Sequence, residues 1–214
     1  MASLASGLII TQENYKRATW KNGSGHTDEI AIYPPGSDLK TGNFLWRISS
    51  ARIEQASVFS IFPHHDRILV VIDGMGLRLI HKFDESSDEE EMINLGPFEH
   101  YEFPGDIPSR CELVDGPIRD LSVFIRKGQI EATAEAIPMN APFQWLPTGK
   151  WNFAFAACGE FQIKSPFEED FLTLRPGNTL QVELDEPLSE DRPYLFETSY
   201  ADAALILISL ASVS

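Results

Sequence analysis

The sequence predicts an all-β chain whose strands form barrels or sandwiches and whose strand pattern occurs twice. Apolar residues come as short runs or in strict alternation with polar ones, and helical periodicity is nearly absent. Glycine, proline, asparagine and aspartate interrupt these runs at close intervals, which is typical of turns between short strands. Together these observations favour antiparallel strands along the whole chain.

The first half of the chain contains the clearest strand signals. Residues 44–53 alternate between apolar and polar types, so Arg47 and Ser49 share one face of a strand. The apolar run 68–72 is typical of a strand buried on both sides. A glycine turn then joins it to a second strand in a hairpin. Further strands are predicted at residues 77–83, 98–103, 111–114, 118–125 and 129–134.

The second half repeats this order of strands and turns, which indicates an internal duplication. A proline-rich stretch at residues 137–147 forms the natural junction between the two copies. We therefore expect an N-terminal half at residues 1–137 and a C-terminal half at residues 138–214, packed with the first as one unit. The matching stretches are residues 68–83 with 152–164, and residues 101–114 with 171–184.

Composition and charge exclude several classes of partner. The chain has 214 residues and a formal net charge of -15, from 17 Lys and Arg against 32 Asp and Glu. Nucleic acids and anionic membrane surfaces attract basic proteins, so we expect neither as a partner. We expect a cytoplasmic protein, with a homodimer left open, and no stretch reaches the length of a membrane span. The two cysteines, Cys111 and Cys158, are expected to be reduced, buried thiols.

Residues 19–29 place several side-chain chemistries around two glycines. Trp20 offers an indole, Lys21 a cation and Asn22 an amide, within a backbone that glycine allows to fold tightly. One interpretation is a segment that closes over a ligand. The other is that Trp20 only fixes the N-terminal arm to the core. The residues alone leave both interpretations open.

Five motifs resemble a known family in order and spacing. They are Trp-Lys-Asn-Gly-Ser-Gly-His-Thr-Asp-Glu-Ile at 20–30, Trp-Arg-Ile-Ser at 46–49, Phe-Ser-Ile-Phe-Pro-His-His-Asp-Arg at 59–67, Phe-Pro-Gly-Asp at 103–106 and Gly-Pro-Ile-Arg-Asp at 116–120. These motifs resemble the HutD/Ves family, and the repeated order of strands and Pro-Gly turns resembles the cupins. The resemblance implies two tandem cupin-like (RmlC-like jelly roll) β-barrels, a bicupin. It also implies a bacterial protein that governs histidine utilisation by binding a small molecule, with no established catalytic activity.

The residues do not support a metal site or a cofactor. Metal-dependent cupins use two histidines one residue apart, whereas His64 and His65 are adjacent and would point to opposite faces of an extended segment. No glycine-rich loop precedes a helix, so a nucleotide cofactor is not predicted. We therefore expect no metal and no other cofactor.

Polar residues on predicted strands form the candidate ligand site. Arg67 begins the most apolar strand, and an inward arginine in a small barrel needs a carboxylate partner. Asp66, Asp120 or Glu29 would supply that carboxylate. Two arginines and a lysine would bind a small anionic metabolite, such as a dicarboxylate or an acylated amino acid. The candidate ligand-binding residues are Arg67, Arg47, Lys21, Asn22, Thr27, Glu29, Ser49, Asp66, Asp120 and Trp20.

Three functions compete at this point. We favour a non-enzymatic protein that binds a small anionic metabolite. The second is a metal-free cupin isomerase or epimerase with His64, His65 or His100 as its general base. The third is a partner protein that docks through a tryptophan-rich or β-edge surface, with the arginines in structural ion pairs only.

Overall fold

Strands make up nearly all of the regular structure, as the sequence predicts. The computed structural model describes residues 7–20, 25–83, 89–186 and 188–213. In these ranges no helix is both long and apolar enough to cross a membrane, and the helix that is present is a short 3-10 turn (Gln12–Asn14). In chain order the strands are β1 (Leu8–Ile10), β2 (Lys16–Thr19), β3 (Gly25–Tyr33), β4 (Trp46–Ile53), β5 (Ser57–Val58), β6 (His65–Asp73), β7 (Leu77–His81), β8 (Glu91–Leu95), β9 (His100–Pro104), β10 (Ser109–Leu113), β11 (Ile118–Arg126), β12 (Ile130–Met139), β13 (Phe143–Trp145), β14 (Trp151–Cys158), β15 (Phe161–Lys164), β16 (Phe171–Leu174), β17 (Thr179–Glu183), β18 (Tyr194–Glu197) and β19 (Ala203–Ser212).

The strands group into two compact units. The N-terminal unit consists of residues 15–130, and the C-terminal unit contains the described residues of 1–14 and 131–214. The boundary expected at residue 137 differs from this division. The difference arises because β1 pairs with β17, and β12 belongs to the same sheet. These pairings join residues that are distant in sequence, so local strand and turn patterns do not reveal them.

Two antiparallel sheets form the N-terminal unit. The six-stranded sheet has the order β2-β3-β4-β11-β6-β9, and the four-stranded sheet has the order β5-β10-β7-β8. Apolar side chains such as Leu69, Val71, Leu79 and Ile118 form its buried core. Because side chains alternate along each strand, the face that carries Leu69 and Val71 also receives every second residue of β6, including polar ones.

Two antiparallel sheets also form the C-terminal unit. Their orders are β1-β17-β14-β19-β12 and β13-β18-β15-β16. The core between them is mostly aromatic and aliphatic, with Phe161, Tyr194 and Phe196 fully buried. Trp145 packs against Tyr194 and Phe196 with ring-centroid distances of 5.8 and 6.0 Å. Large apolar side chains therefore fill the interior of this unit.

The two units repeat one strand arrangement. The order β4-β11-β6-β9 corresponds to β12-β19-β14-β17, and the four-stranded sheets correspond strand for strand. The strands β6 and β14 can be aligned on the glycines of the turns that follow them, Gly74 and Gly159. In this alignment the β6–β11 pairing and the β14–β19 pairing each contain a bulge, and the two bulges lie at the same position. This confirms the predicted architecture of two cupin-like β units.

The two cysteines have different environments. Cys111 is buried in β10, as expected. Cys158 is exposed, so the expectation of a buried thiol is wrong for this residue. The reason is its position at the end of β14, directly before the turn at Gly159, where the chain leaves the sheet.

Candidate functional site

A cavity in the N-terminal unit collects most of the residues predicted for the ligand site. Its volume is about 420 Å³, which lies in the range of small-molecule sites. The strands β4, β11 and β6 are neighbours in the six-stranded sheet, so their inward side chains meet in its wall. The polar lining residues are Thr27, Arg47, Ser49, Ser60, Arg67, Asp120 and Ser122, and the apolar ones are Ala18, Trp20, Leu39, Ala51, Val58, Phe59, Phe62 and Phe124.

Arg67 and Asp120 form a buried ion pair in this wall. Nη2 of Arg67 lies 3.1 Å from Oδ2 of Asp120, and Nε and Nη2 donate to Oγ of Ser122 at 3.1 and 2.8 Å. The backbone N–H of Ala51 also donates to Asp120, at 2.9 Å. Burial raises the pKa of Asp120 despite the opposing charge of Arg67, and burial lowers the pKa of the Arg67 guanidinium. Each group therefore depends on the other for compensation of its buried charge.

Arg47 has its own carboxylate partner. Its Nε donates to Oε2 of Glu29 at 2.8 Å, and its Nη1 donates to Oγ of Ser49 at 3.0 Å. Burial lowers the pKa of Arg47, and the nearby carboxylates of Glu29 and Asp120 oppose this. Arg47 and Ser49 face the same side of β4, as the alternation of the sequence predicts.

Each arginine keeps one group of donors that no described residue engages. The hydrogen bonds above use Nε and Nη1 of Arg47 and Nε and Nη2 of Arg67, which leaves Nη2 of Arg47 and Nη1 of Arg67. The ring of Phe124 lies near both guanidiniums, with its centroid 5.7 Å from Cζ of Arg47 and 5.0 Å from Cζ of Arg67. Phe59 lies 4.2 Å from Cζ of Arg67. These cation–π contacts and ion pairs hold both cations in place while donors remain available for an anion.

The edge of the cavity includes the indole of Trp20. Its Nε1 donates to Oγ1 of Thr27 at 2.9 Å, which fixes the ring against β3. The backbone N–H of Trp20 donates to the carbonyl of Gly25 at 3.0 Å. Lys21 and Asn22 lie outside the described residues, so their closure over a ligand stays a prediction.

Asp66 does not belong to this constellation. It directly precedes Arg67 on β6, so its side chain points to the opposite face of the sheet. There its Oδ1 lies 3.5 Å from Nζ of Lys127. Of the three carboxylates considered as arginine partners, Glu29 and Asp120 fill that role and Asp66 does not.

Several lining residues are absent from the site predicted by sequence. Ser122 and Phe124 follow Asp120 at intervals of two along β11, so strand alternation places them on the same face as Asp120. Phe59 and Phe62 come from the segment between β5 and β6. That segment has no strand periodicity, and its sequence carries no signal that brings two aromatic rings to the arginines.

The three histidines considered as general bases are not among the described residues that line the cavity. His65 is buried, with its ring nitrogens 2.8 Å from the Pro63 carbonyl and 3.0 Å from the Phe44 carbonyl. His64 occupies a turn with φ of 65°, and His100 is exposed at the start of β9. No histidine is found among the described residues that line the cavity. The described ranges also contain no group of three or more His, Cys, Asp and Glu side chains that could hold a metal ion.

Solved structures show the same fold. A conserved protein of unknown function from Pseudomonas aeruginosa PAO1 matches with a TM-score of 0.79 and 24% identity, over 97% of this chain and 100% of that one. HutD from Pseudomonas fluorescens SBW25 matches with a TM-score of 0.75 and 24% identity, over 98% of this chain and 100% of that one. A mutant of oxalate decarboxylase from Bacillus subtilis matches with a TM-score of 0.61 and 9% identity, over 98% of this chain and 78% of that one. The fold and its site define a bicupin-like protein with a charged cavity in its N-terminal unit.

Sequence comparison identifies the family. The HutD family model matches residues 12–192, and the chain belongs to this family. It is 36% identical over 116 residues to the uncharacterized 21.2 kDa protein in the hutC 3' region of Pseudomonas putida, which covers 54% of this chain and 56% of that protein. It is 31% identical over 121 residues to protein Ves of Cronobacter sakazakii, with coverage of 53% and 57%. The chain thus spans just over half the length of these relatives, and the resemblance predicted from its motifs is confirmed.

Proposed function

We propose that the protein binds a small anionic metabolite in the cavity of its N-terminal unit and thereby helps to govern histidine utilisation. The observation that carries the proposal is the pair of buried guanidiniums, Arg47 and Arg67. Each retains an Nη group that no described residue engages, in a cavity of about 420 Å³. Guanidinium groups recognise carboxylates through directed, charge-assisted hydrogen bonds. A dicarboxylate or an acylated amino acid supplies such a carboxylate.

The surroundings of the arginines support binding as the role of this cavity. Glu29 and Asp120 hold the two cations at fixed positions before a ligand arrives, and Phe124 packs near both. Preorganised donors bind more tightly because less side-chain freedom is lost on association. We propose a binding protein without catalytic activity on this basis.

The relatives support the pathway. One is named HutD, and another is named for its position in the hutC 3' region. We propose the same setting, histidine utilisation, for this chain, together with a cytoplasmic location. The small-molecule ligand would then connect the protein to the metabolite level of that pathway.

Thermal unfolding and calorimetric titration with formate, glutarate and N-acetylglutamine test the binding proposal. A ligand that binds only the folded state raises the melting temperature in proportion to the logarithm of its concentration once it is in excess. We expect this rise in the wild type and its loss in Arg47→Ala and Arg67→Ala, with folding of each variant checked by circular dichroism.

Arg52→Ala is the matched control for these variants. It removes a guanidinium from β4 as Arg47→Ala does, but from the opposite face of the strand, where Arg52 pairs with Glu54. It should respond to ligand as the wild type does. If none of the carboxylates binds the wild type, the binding proposal fails. If both cavity variants bind as the wild type does, the ligand occupies another site.

A further inference from the structure

The reverse face of the six-stranded sheet, which points away from the cavity, carries a row of basic side chains. His26 and Arg52 belong to this face because they alternate along β3 and β4 with residues that line the cavity. His26 is paired with Arg52 across β3 and β4, and Arg52 is paired with Arg119 across β4 and β11. Directly paired residues lie on one face, and like charges in such pairs repel. The row thus places three basic side chains side by side in a chain with a net charge of -15.

One buried carboxylate compensates part of this charge. The side chain of Asp28 is 4% exposed, and it accepts two hydrogen bonds from Arg17 at 2.6 and 2.8 Å. Nη2 of Arg119 and Nε2 of His26 lie 3.6 and 3.8 Å from Oδ2 of Asp28. These two distances exceed the length of a hydrogen bond. Arg17 therefore engages the carboxylate, whereas Arg119 and His26 interact with it only through their charge.

Several donors of the row have no partner in the described part of the chain. The guanidinium of Arg119 is within reach of Asp28 only, and its side chain is 25% exposed. Nε2 of His26 is buried without a hydrogen-bond partner among the described residues. Arg52 donates from Nε to Glu54 at 3.2 Å, which leaves both of its Nη groups. Buried polar atoms normally have a partner, so donors on three neighbouring strands remain open to an anion.

The charge of the row favours an anion with more than one negative charge. The three arginines exceed their paired carboxylates, Asp28 and Glu54, by one positive charge, and protonation of His26 adds a second. Asp73 is opposite Arg119 on β6 and forms no ion pair with a described residue. Burial and the charges of the three arginines lower the pKa of His26, and the carboxylate of Asp28 opposes them. An anion bound beside the ring would raise this pKa again.

We infer that His26, Arg52 and Arg119 form a phosphate site on the reverse face of the sheet, which takes free phosphate or the phosphate group of a monoester. A carboxylate has two oxygens in one plane, and a single guanidinium satisfies both. A tetrahedral anion presents oxygens in several directions, which suits donors on three strands. The site is separate from the cavity and does not depend on the function proposed for it.

Calorimetric titration with sodium phosphate tests the inference, at neutral pH and at an ionic strength held constant with sodium chloride. We expect the wild type to bind phosphate and Arg119→Gln to bind it at least about tenfold more weakly, because the variant loses a charged donor. Arg78→Gln is the matched control, since Arg78 is a half-exposed strand arginine in the other sheet of the same unit, where it pairs with Glu112. It should bind as the wild type does. Titration with glycerol 3-phosphate shows whether the site also accepts a monoester.

Sulfate tests the part played by His26. It stays doubly negative throughout the pH range in which histidine titrates, so a pH dependence of its binding reports the protein. Bound sulfate favours the protonated ring, and its affinity should therefore rise as the pH falls through the pKa of His26. In His26→Gln this rise should disappear. Proton NMR of the His26 ring in the wild type should show its pKa raised by sulfate, a readout that needs no variant.

Three outcomes would overturn the phosphate site. One is a wild type that binds neither phosphate nor sulfate at constant ionic strength. Another is equal phosphate affinity in the wild type and in folded Arg119→Gln. The third is loss of phosphate binding in Arg47→Ala with retention in Arg119→Gln, since the anion would then occupy the cavity. None of these results bears on carboxylate binding in the cavity, which is measured separately.

Discussion

The two β units share a backbone arrangement but differ in what they bury. At three inward positions of β6 and β11, the N-terminal unit has Arg67, Ser122 and Asp120. The matching register of β14 and β19 places Asn152, Leu207 and Leu205 at the corresponding positions of the C-terminal unit. The same cupin-like frame therefore supports charged inward side chains in one unit and uncharged ones at the matching positions of the other. Function depends on these side chains rather than on the fold.

A second difference concerns the edges of the sheets. In the N-terminal unit the hairpin β2–β3 extends the sheet beyond β4, and it brings Glu29 to Arg47 and Thr27 to Trp20. In the described C-terminal unit the sheet ends at β12, the counterpart of β4, and is extended at its other edge by β1. The extra hairpin thus supplies the partner without which Arg47 would be a buried, unpaired cation.

The largest expected effect comes from breaking the charged network at one point. Arg67→Ala leaves Asp120 buried without its cation, and we expect the free energy of unfolding to fall by about 3–5 kcal/mol. Urea unfolding followed by circular dichroism measures this loss. Arg175→Ala is the control in the C-terminal unit, because its ion pair with Glu160 is exposed and should contribute less than about 1 kcal/mol. Similar losses in both variants would contradict the buried-pair interpretation.

Replacing the whole network tests how far the two units are interchangeable. The triple variant Arg67→Asn, Ser122→Leu and Asp120→Leu gives the N-terminal unit the residues of the C-terminal unit. The triple variant removes both buried charges together, whereas Arg67→Ala leaves Asp120 unpaired. It should therefore be more stable than Arg67→Ala while it loses carboxylate binding. Urea unfolding and calorimetry measure both properties. If the triple variant is less stable than Arg67→Ala, the N-terminal unit does not accept the residues of the C-terminal unit, although the strand register of the two units is the same.

Strand alternation explains which parts of the site the sequence predicts. Arg47 and Ser49 occupy alternate positions of one strand, and their common face follows from the pleat alone. The same rule would have excluded Asp66, which is adjacent to Arg67. The pairing of Glu29 with Arg47 is beyond such reasoning, because the ladder between β3 and β4 shifts by a bulge between Glu29 and Ala31. Which residues meet across strands depends on that shift, and the sequence pattern does not encode it locally.

One residue in each unit should cost stability at opposite ends of the pH range. Burial raises the pKa of Asp28 in the N-terminal unit. The hydrogen bonds from Arg17 at 2.6 and 2.8 Å and the positive charges of Arg17, His26 and Arg119 together outweigh this effect, so the pKa lies below its ordinary value of about 3.9. This contribution is complete above the unfolded-state pKa and is lost as the pH falls through the folded-state pKa. Burial raises the pKa of Tyr194 in the C-terminal unit to about 12. Because the unfolded phenol ionises near about pH 10, up to about 2 kcal/mol is lost as the pH rises above that value.

Conservative variants test the contributions of these two residues to the pH profile. Asp28→Asn should flatten the acid limb of the free energy of unfolding, and Tyr194→Phe should flatten the alkaline limb. Each should leave the opposite limb unchanged, and amide hydrogen exchange shows which unit opens. An alkaline limb that is as steep in Tyr194→Phe as in the wild type contradicts the contribution assigned to Tyr194.

The smallest expected effect tests whether the extra hairpin serves the cavity or only the fold. Thr27→Val removes the acceptor for Nε1 of Trp20 at nearly constant volume, and it should cost about 1 kcal/mol in the free energy of unfolding. Thr173→Val is the control in the C-terminal unit, since Thr173 hydrogen bonds to Gln162 on an exposed face. If the hairpin positions the wall of the cavity, Thr27→Val weakens the binding of N-acetylglutamine in calorimetry, whereas Thr173→Val does not. A Thr27→Val variant that loses stability but binds as the wild type does would assign Trp20 to the stability of the N-terminal arm, the alternative that its sequence leaves open.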